Sequence, residues 1–293
     1  MLLSVLIPTY NYDCTKLVRD LSGQLPPDCE IIVADDCSTD TLISPALEAI
    51  GEIAHARLWR APQNMGRSAI RNKLAAMAEG EWLLFMDSDA EVPDSKFISR
   101  YLQNLTADVV VGGTCAPDRC PSPEVSLRYE YERRFWLRAT PEQRNKKPYD
   151  SFTAFNFMIR RTAFEETRFD EHCLEYGHED TLLGIMLKEH NKSILHIGNP
   201  LIHNGLEPNN IYMEKVEKSL LALRQNEGKL QTSSSMLKAY AKVERLHLVP
   251  LIRIWHKIFG NLLRHNLCST HPRLYLFNIY KLGYYCSITN YKI

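Results

Sequence analysis

Two carboxylates stand one residue apart in the segment LLFMDSDAEV, residues 83–92. Asp87 and Asp89 directly follow four apolar residues, which predict a buried strand. A buried strand that ends in two acids predicts a positive partner, and Mg²⁺ or Mn²⁺ takes hard oxygen ligands such as carboxylates and phosphate oxygens. A solvated loop and a helix cap are the alternative interpretations of the pair taken alone.

Further polar residues end the other predicted strands. They are Pro8, Thr9, Tyr10 and Asn11 after the first strand, Asp35 and Asp36 after the second, and Arg67 and Arg71 on the helix after the third. Open parallel sheets bind ligands at the carboxyl ends of their strands, so neighbouring strands would gather these groups in one cleft. An aromatic ring, carboxylates and two guanidinium groups suit the base, ribose and phosphates of a nucleotide.

A divalent cation is expected in this cleft, because carboxylates would otherwise repel a diphosphate. The spacing of Asp87 and Asp89 allows one carboxylate to reach the metal and the other to reach the sugar of the nucleotide. Neither of the glycine-rich phosphate motifs, GxGxxG and GxxxxGK[ST], occurs in the sequence.

A second cluster of acids lies in EYGHED, residues 175–180, where Gly177 indicates a tight turn. Glu179 and Asp180 begin a predicted helix, whose N-terminus favours carboxylates, so they could be capping residues. A carboxylate can also act as a general base that deprotonates an alcohol. His203 in PLIHNG ends a predicted strand and is either a structural histidine or a metal ligand.

Strands alternate with helices over the first 115 residues, which predicts a mostly parallel sheet covered on both faces. Farther along, TPEQRNKKPYD predicts a mobile loop, and KSILHIGNPLIHNG predicts one strand that ends in a turn. The helix after residue 209 is expected to end at Gly228, and QTSSSM is expected to be a linker. We therefore expect one domain at 1–230 and a helical extension at 231–293.

The extension is basic and aromatic. From residue 236 onwards it has nine Lys or Arg and one acid, although the whole chain is neutral. The segment LHLVPLIRIWHKIFGNLLRHNL has apolar residues at helical spacing with basic residues on the other side, which predicts an amphipathic helix. Three interpretations remain open: packing on the chain's own domain, contact with an anionic membrane surface through 245–285, and dimerisation.

The composition narrows the class of protein. The 293 residues are 45% hydrophobic, which suits a folded core and excludes a disordered chain. Zero net charge gives no indication of nucleic-acid binding. Eight scattered cysteines without a CxxC pair predict free thiols in a reducing cytoplasm, and we expect a cytoplasmic protein that can associate with the inner face of the membrane. The apolar N-terminus predicts a strand rather than a signal peptide.

The ordered set of motifs resembles the family 2 glycosyltransferases of the GT-A fold. The set is SVLIPTYN, IIVADDCSTD, NMGRSAIRN, LLFMDSDA, FNFMIRR, RFDEHCLEYGHED and PLIHN, and it spans residues 2–205. The resemblance implies a GT-A type, Rossmann-like mixed α/β sheet flanked by helices, to which this chain adds a C-terminal helical amphipathic extension.

The resemblance also implies an activity. It is an inverting, metal-dependent transfer of a sugar from a nucleoside diphosphate sugar, usually uridine-linked, to the hydroxyl of a saccharide or lipid-linked acceptor. Such transfers build polysaccharide, lipopolysaccharide or glycolipid. The cofactor would be Mn²⁺ or Mg²⁺.

Residue roles follow from the same motifs. Thr9, Tyr10 and Asp36, with Asp35 beside it, would hold the base, while Arg71 would face the ribose or diphosphate and Asp87 the ribose. Asp180 would be the base, with Glu179 as its neighbour. The donor site is expected to comprise Pro8, Thr9, Tyr10, Asp35, Asp36, Arg67, Arg71, Asp87 and Ser88, and the metal site Asp89, His203 and Asp87. Ser88 receives no role beyond that of a spacer.

Two other functions use a similar residue set. A non-catalytic scaffold could bind a nucleotide sugar through the same fold. A sugar nucleotidyltransferase also uses paired acids and a metal, but its N-terminal glycine-rich loop with Arg or Lys is absent from this sequence. The sequence predicts neither the donor sugar, the acceptor, nor the oligomeric state.

Overall fold

The computed structural model describes residues 1–171, 178–230 and 234–288. Within these ranges the chain forms two compact units. The first consists of 1–116, 136–171 and 179–205, and the second consists of 117–135, His178 and 206–288. The domain boundary predicted after residue 230 stays a proposal, and the second unit also takes in segments that precede it. The turn predicted at Gly177 lies outside the described residues, as does the first half of the predicted linker, residues 231–233. The linker prediction is wrong for the second half, because Ser234 is an N-cap and a helix begins at Ser235.

The strands all belong to the first unit. They are β1 (Leu3–Thr9), β2 (Cys29–Asp35), β3 (Ala56–Arg60), β4 (Trp82–Met86), β5 (Ala90–Glu91), β6 (Val109–Val111), β7 (Thr114–Cys115), β8 (Asn156–Arg160), β9 (Ile194–His196) and β10 (Leu201–His203). Seven of them form one sheet in the order β3-β2-β1-β4-β8-β6-β9. β1 pairs in parallel with β2 and β4, whereas β8 is antiparallel to β4 and β6. The predicted mixed α/β sheet is confirmed.

Helices of the first unit flank its sheet, and a separate set of helices forms the second unit. They are α1 (Thr15–Ser22), α2 (Ser44–Glu48), α3 (Arg67–Met77), α4 (Phe97–Leu102), α5 (Ser126–Trp136), α6 (Pro141–Asn145), α7 (Arg161–Thr167), α8 (Glu179–Glu189), α9 (Asn209–Gln225), α10 (Glu227–Leu230), α11 (Ser235–Arg245), α12 (Val249–Leu267) and α13 (Leu274–Ser287). Short 3₁₀ turns cover Ala49–Glu52 and Pro123–Val125. Helix α5 and helices α9 to α13 make up most of the second unit.

The central strands are buried on both faces, as predicted. Val5 and Ile7 of β1 lie in one hydrophobic cluster, together with apolar residues of α1 and α4. Leu6, between them, lies in the other cluster with Ile70 and Leu74 of α3. Successive side chains of a strand point to opposite faces, so a continuous apolar run requires helices on both sides.

A second, small sheet joins β5, β10 and β7. β10 pairs antiparallel with β5, which sets His203 opposite Ala90. The segment predicted as one strand therefore forms two, β9 and β10, in different sheets. The strand is interrupted at Gly198 and Pro200, since proline lacks the N–H that a ladder needs. Between them, the buried Asn199 is fixed, because its Nδ2 donates to the carbonyl of Phe97 (3.0 Å).

The segment predicted as a mobile loop, residues 140–150, begins with helix α6. Thr140 is its N-cap, and the Thr140 hydroxyl accepts the N–H of Gln143 (3.4 Å). Pro141 occupies the first turn, where a missing N–H is tolerated. The many polar residues of this segment, which suggested a loop, include the signals that start a helix.

Arg144 anchors α6 in the interior of the first unit. Its buried guanidinium donates to the carbonyls of Ile197 (2.8 Å) and Gly112 (3.1 Å) through Nη2, and to that of Ala139 (3.1 Å) through Nε. Its Nη1 also lies 3.1 Å from Nδ1 of His196. The prediction of a loop is therefore wrong for Pro141–Asn145, which form helix α6.

The second unit is helical, and α12 confirms the predicted amphipathic helix. It packs on α13, where Arg253 Nε donates to the carbonyl of Cys286 (3.0 Å). The predicted helix end at Gly228 is wrong, because α9 ends at Gln225 and Gly228 lies inside α10. Asn226 provides the stop instead, since its backbone N–H and its Nδ2 both donate to the carbonyl of Ala222. In the described residues, no helix is long and apolar enough to span a membrane.

Arg144→Ala is expected to lower the free energy of unfolding by about 3 kcal/mol, because it leaves several buried carbonyls without a donor and opens a cavity. The urea-unfolding midpoint measures this change. Arg138→Ala is the matched control, because Arg138 is an exposed arginine six residues away. Equal midpoints for the two variants would contradict the anchoring role of Arg144.

Candidate active site

The candidate site lies at the carboxyl ends of β1, β2 and β4. Because β1 is hydrogen-bonded in parallel to both neighbours, the residues that follow these strands lie on one edge of the sheet. In the register, Thr9 faces Asp35, and Leu6 faces Phe85 two positions before Asp87. The predicted meeting of the three strand ends is confirmed.

The loop after β1 presents an aromatic ring. The Thr9 hydroxyl donates to the carbonyl of Tyr12 (2.9 Å), which closes a turn around the half-exposed Tyr10. Asn11 has a positive φ of 51° and its Oδ1 accepts the backbone N–H groups of Thr39 and Asp40, in the loop after β2. The two loops are thereby tied together beside the exposed ring.

Asp35 and Asp36 are both buried, and both accept hydrogen bonds from nearby loops. Asp35 Oδ1 accepts the N–H and the hydroxyl of Ser38. Asp36 accepts the N–H of Met65 (2.6 Å) and of Gly66 (3.0 Å), one with each carboxylate oxygen, just before α3 begins. These bonds give both acids a structural task, and their contacts with a base stay a prediction.

Arg71 and Asp87 form an ion pair at the centre of the edge. Arg71 is only 3% exposed; its Nη2 donates to Asp87 Oδ1 (2.5 Å) and its Nη1 to the carbonyl of Arg67 (3.1 Å). The guanidinium also lies 5.5 Å from the centre of the Phe169 ring. A cation held by a carboxylate, a carbonyl and a ring has one orientation, which suits binding of an anionic group.

Asp89 and His203 meet through the small sheet. Asp89 Oδ2 lies 3.2 Å from His203 Nε2. The backbone N–H of Asn204 donates to the Asp89 carbonyl (2.9 Å), and its Nδ2 donates to Glu91 (2.6 Å). A Cβ at position 205 would lie 1.9 Å from Asp89 Oδ2, so any larger residue there requires this carboxylate to move.

A carboxylate and an imidazole fit a divalent cation that takes its other ligands from phosphate oxygens and water. The structure brings together two of the three predicted ligands, Asp89 and His203, while Asp87 turns to Arg71. Among the residues that the structure describes, no group of three or more His, Cys, Asp or Glu side chains is arranged to hold a metal. The third ligand, Asp87, stays a prediction.

Asp180 lies at the start of α8 and accepts the N–H of Ala154 through Oδ2 (3.1 Å). Burial raises the pKa of Asp180 to about 6; the negative charges of Glu179 and Asp87 also raise it, whereas Arg71 opposes the shift. The charges of both Arg71 and Asp87, the ion pair at the sheet edge, therefore act on Asp180. A carboxylate with a raised pKa is a better proton acceptor, as general-base catalysis requires.

Glu179 has a different partner. It is buried and its Oε1 lies 3.3 Å from Nη1 of Arg67, on α3. The two acids that the sequence places side by side thus have different partners, because Glu179 joins α8 to α3 while Asp180 accepts the N–H of Ala154, ahead of β8. Arg67 was predicted to bind the donor, and in the structure its guanidinium is engaged by Glu179 and half-exposed.

Sequence reasoning missed four residues that shape the site. They are Ala154, Phe169, Asn204 and Gly205. An Asn-Gly pair directly after a strand is a turn signal that could have drawn attention to Asn204 and Gly205. Ala154 contacts Asp180 through its backbone N–H, and Phe169 contacts Arg71 through the face of its ring. No sequence motif predicts either contact.

Comparison with known proteins identifies the family of this chain. A family model described as "Glycosyl transferase family 2" matches residues 4–168, more than half of the chain. The chain therefore belongs to glycosyl transferase family 2, and the resemblance stated above is confirmed.

Two curated relatives illustrate the extent of sequence similarity. The uncharacterized glycosyltransferase YibD of Escherichia coli is 32% identical over 120 residues, which cover 40% of this chain and 34% of YibD. The poly(ribitol-phosphate) beta-N-acetylglucosaminyltransferase TarS of Staphylococcus aureus is 36% identical over 94 residues, which cover 30% of this chain and 16% of TarS. The matched segments thus span about a third of YibD and less than a fifth of TarS.

Solved structures share the fold over a longer stretch. TarS 1–349 in complex with UDP-GlcNAc has a TM-score of 0.53 at 17% identity and covers 97% of this chain and 90% of that one. The mannosyltransferase PcManGT of Pyrobaculum calidifontis, in complex with GDP-Man and Mn²⁺, has a TM-score of 0.56 at 14% identity, with 97% and 84% covered. At this identity the likeness supports the fold class.

Gly205→Ala is expected to weaken Mn²⁺ binding about tenfold in the presence of UDP, because the added Cβ displaces the Asp89 carboxylate. Isothermal titration measures the affinity. Gly51→Ala is the control, since a Cβ there meets no atom within 4 Å. Unchanged Mn²⁺ affinity in a folded Gly205→Ala protein would show that Asp89 does not hold the metal.

Proposed function

We propose that this chain is an inverting, divalent-metal-dependent glycosyltransferase that moves a sugar from a uridine diphosphate sugar to an acceptor hydroxyl. The observation that carries the proposal is the common placement of three features on one sheet edge. They are the ion pair of the buried Arg71 with Asp87, the Asp89–His203 pair, and Asp180 with its raised pKa. A fixed cation, a metal-binding pair and a base are the parts that transfer from a diphosphate sugar requires.

Donor binding is proposed to use the loops after β1 and β2 together with Arg71 and Asp87. The half-exposed ring of Tyr10 offers a face for the base, next to Asp35 and Asp36. Asp87 Oδ1 accepts a hydrogen bond from Arg71 Nη2. Asp87 Oδ2 has no hydrogen-bond partner among the described residues, so it can accept a bond from a ribose hydroxyl. The Arg71 cation favours the nearby diphosphate.

Asp89 and His203 are proposed to hold the divalent cation, Mn²⁺ or Mg²⁺. When bound, such a cation neutralises negative charge on the departing diphosphate. The pair is already in place, because the backbone of Asn204 and the ladder between β5 and β10 fix both side chains. Little reorganisation is then needed when the donor arrives.

Asp180 is proposed as the base that removes the proton from the acceptor hydroxyl. The acceptor oxygen forms a bond to the anomeric carbon while the bond from that carbon to the diphosphate oxygen breaks, and the nucleoside diphosphate leaves with the electron pair. Attack opposite to the leaving group inverts the anomeric centre. Asp180 Oδ2 is held by the N–H of Ala154, and Oδ1 has no hydrogen-bond partner in the described part of the chain.

The identity of the donor base is supported by a comparison rather than by a contact. TarS is solved with UDP and with UDP-GlcNAc, whereas PcManGT is solved with GDP-Man. The sequence similarity to TarS and its complexes with UDP and UDP-GlcNAc favour a uridine donor. TarS is described as acting on poly(ribitol-phosphate), and for this chain we propose an acceptor in polysaccharide, lipopolysaccharide or glycolipid. We place the catalytic domain at 1–230, and its action at the cytoplasmic side of the membrane.

A thermal-shift panel of nucleoside diphosphate sugars, with and without Mn²⁺, tests donor binding and the division of roles. A donor at a hundred times its Kd stabilises the protein by about 2.7 kcal/mol. We expect this shift for a UDP-sugar in the wild type and in Asp180→Asn, and a much smaller Mn²⁺-dependent shift in Asp89→Ala. Release of UDP with an acceptor present should fall at least about a thousandfold in Asp180→Asn.

Three outcomes of this panel would contradict the proposal. If none of the donors shifts the melting temperature of the wild type, the proposed nucleotide-sugar function is wrong. Equal loss of donor binding in Asp180→Asn and Asp89→Ala would contradict their separate roles. Donor binding without UDP release in the wild type, over a panel of saccharide and lipid-linked acceptors, would identify a non-catalytic binding protein. Glu189→Gln serves as the structural control, since Glu189 is exposed at the far end of α8.

The pH dependence of kcat/KM tests the base. Burial and the Glu179 charge raise the pKa of Asp180 to about 6, and the base acts only when deprotonated, so kcat/KM should fall about tenfold per unit below that pH. Glu179→Gln removes a negative neighbour and should move this acidic limb to lower pH. An acidic limb that stays in place in Glu179→Gln would assign it to another group.

A further inference from the structure

Helix α12 carries an exposed apolar stripe along its whole length. Leu251, Ile258 and Leu262 are 64%, 65% and 67% exposed, and they repeat at helical spacing. Ile254 at 59% joins them on the same side of the helix. Isolated exposed leucines are ordinary on a protein surface, but a continuous stripe of large aliphatic side chains marks a contact surface.

Aromatic side chains border this stripe. Trp255 and Phe259 are partly exposed and their rings lie 5.4 Å apart. On α13, Tyr275 is also exposed. Aromatic rings with a polar edge suit the boundary between water and lipid, because one end is apolar and the other hydrates.

The opposite side of α12 already has its packing partner. Gly260, Leu263 and Leu267 are buried, and His256 stacks edge-on against Tyr280 of α13 (5.2 Å). Helices α12 and α13 thus form a hairpin that uses one face of α12 and leaves the stripe outside. The hairpin covers the apolar residues on one face of α12. It leaves the apolar residues of the stripe exposed, so packing against α13 does not account for them.

The charge next to the stripe is predominantly positive, since Glu244 on α11 is the one acid in α11 and α12. Helix α12 contains no Asp or Glu, and helix α11 before it exposes Lys238, Lys242 and Arg245. None of these three has a carboxylate partner among the residues described, and they recur four and three residues apart. A cationic helix face is therefore directly followed in the chain by an apolar one.

We propose that α11 and α12 dock this chain on an anionic lipid surface, with the stripe of α12 among the acyl chains and the cations of α11 at the headgroups. An amphipathic helix with large apolar side chains and neighbouring lysines lies in the plane of such an interface. No helix in the described residues is suited to crossing a membrane, so this is a surface contact. The cations select an anionic surface over a neutral one.

A second copy of the chain would fit this surface less well. Self-association through the stripe would bring two cationic helix faces together, and like charges oppose such an interface. Helix α12 has no acidic residue and α11 has one, Glu244, so a symmetric contact would not pair all of Lys238, Lys242 and Arg245. Charge complementarity therefore points to a negatively charged lipid surface. The proposal depends on the second unit alone and is independent of the proposed glycosyl transfer.

Vesicle co-sedimentation of the full chain tests the docking surface. The vesicles contain phosphatidylcholine alone or with about one third phosphatidylglycerol. We expect binding to the anionic vesicles, weakened at least about tenfold in the triple variant Leu251→Gln, Ile258→Gln, Leu262→Gln. The matched control changes three exposed apolar residues elsewhere, Leu42→Gln, Leu137→Gln and Ile211→Gln, and should bind as the wild type does.

A second variant tests the electrostatic part. Lys238→Gln, Lys242→Gln, Arg245→Gln should weaken binding to anionic vesicles by about tenfold or more, as should high salt. Circular dichroism and thermal melting verify that each variant is folded. Absence of wild-type binding, or equal binding to neutral and anionic vesicles, would overturn the proposal. So would concentration-dependent self-association that the α12 variant abolishes while vesicle binding is unaffected, which would identify a second copy as the occupant.

Discussion

The parallel hydrogen bonding of β1 to β2 on one side and to β4 on the other is the constraint on which the site depends. Parallel neighbours must end on the same edge of a sheet, so chain segments far apart in sequence deliver their polar ends to one place. The ladders are stable because the strands between them are buried on both faces. Hydrophobic burial thus fixes the positions of charged groups that are themselves costly to bury.

Most charges at this edge are assigned to protein partners before any ligand arrives. Asp36 accepts hydrogen bonds from two backbone N–H groups. Asp87 is paired with Arg71, and Glu179 is paired with Arg67. Each of these pairings offsets the desolvation of a carboxylate and removes its freedom to move. What remains turned toward a ligand is a limited set of groups with fixed directions, which is the arrangement that electrostatic preorganisation requires.

The sequence was most informative where hydrophobic periodicity and strand ends coincide. The strands around Val5, Ile32 and Leu84 follow from continuous apolar runs, and the acids behind them follow from position alone. It was least informative where a long-range contact overrules local composition. The polar segment from Thr140 to Asp150 is typical of a loop. In the structure, however, Arg144 is buried because it donates to the carbonyls of Gly112 and Ile197, which are 32 and 53 residues away in the sequence. Likewise, Glu179 contacts Arg67 of α3 and Asp180 contacts the N–H of Ala154, and these different partners depend on tertiary contacts that the local sequence does not encode.

The contacts of the site differ widely in how much chain they enclose. Arg71 and Asp87 are 16 residues apart, whereas Asp89 and His203 are separated by 114 and Arg67 and Glu179 by 112. Closing the longer loops costs about 2 kcal/mol more in chain entropy than closing the shorter one. A growing chain therefore contains Arg71 and Asp87, which are proposed to bind the donor, well before it contains Asp180 and His203. The sequence up to the end of β8 contains both members of the ion pair and neither Asp180 nor His203, so the groups proposed for donor binding and for catalysis are completed at separate points along the chain.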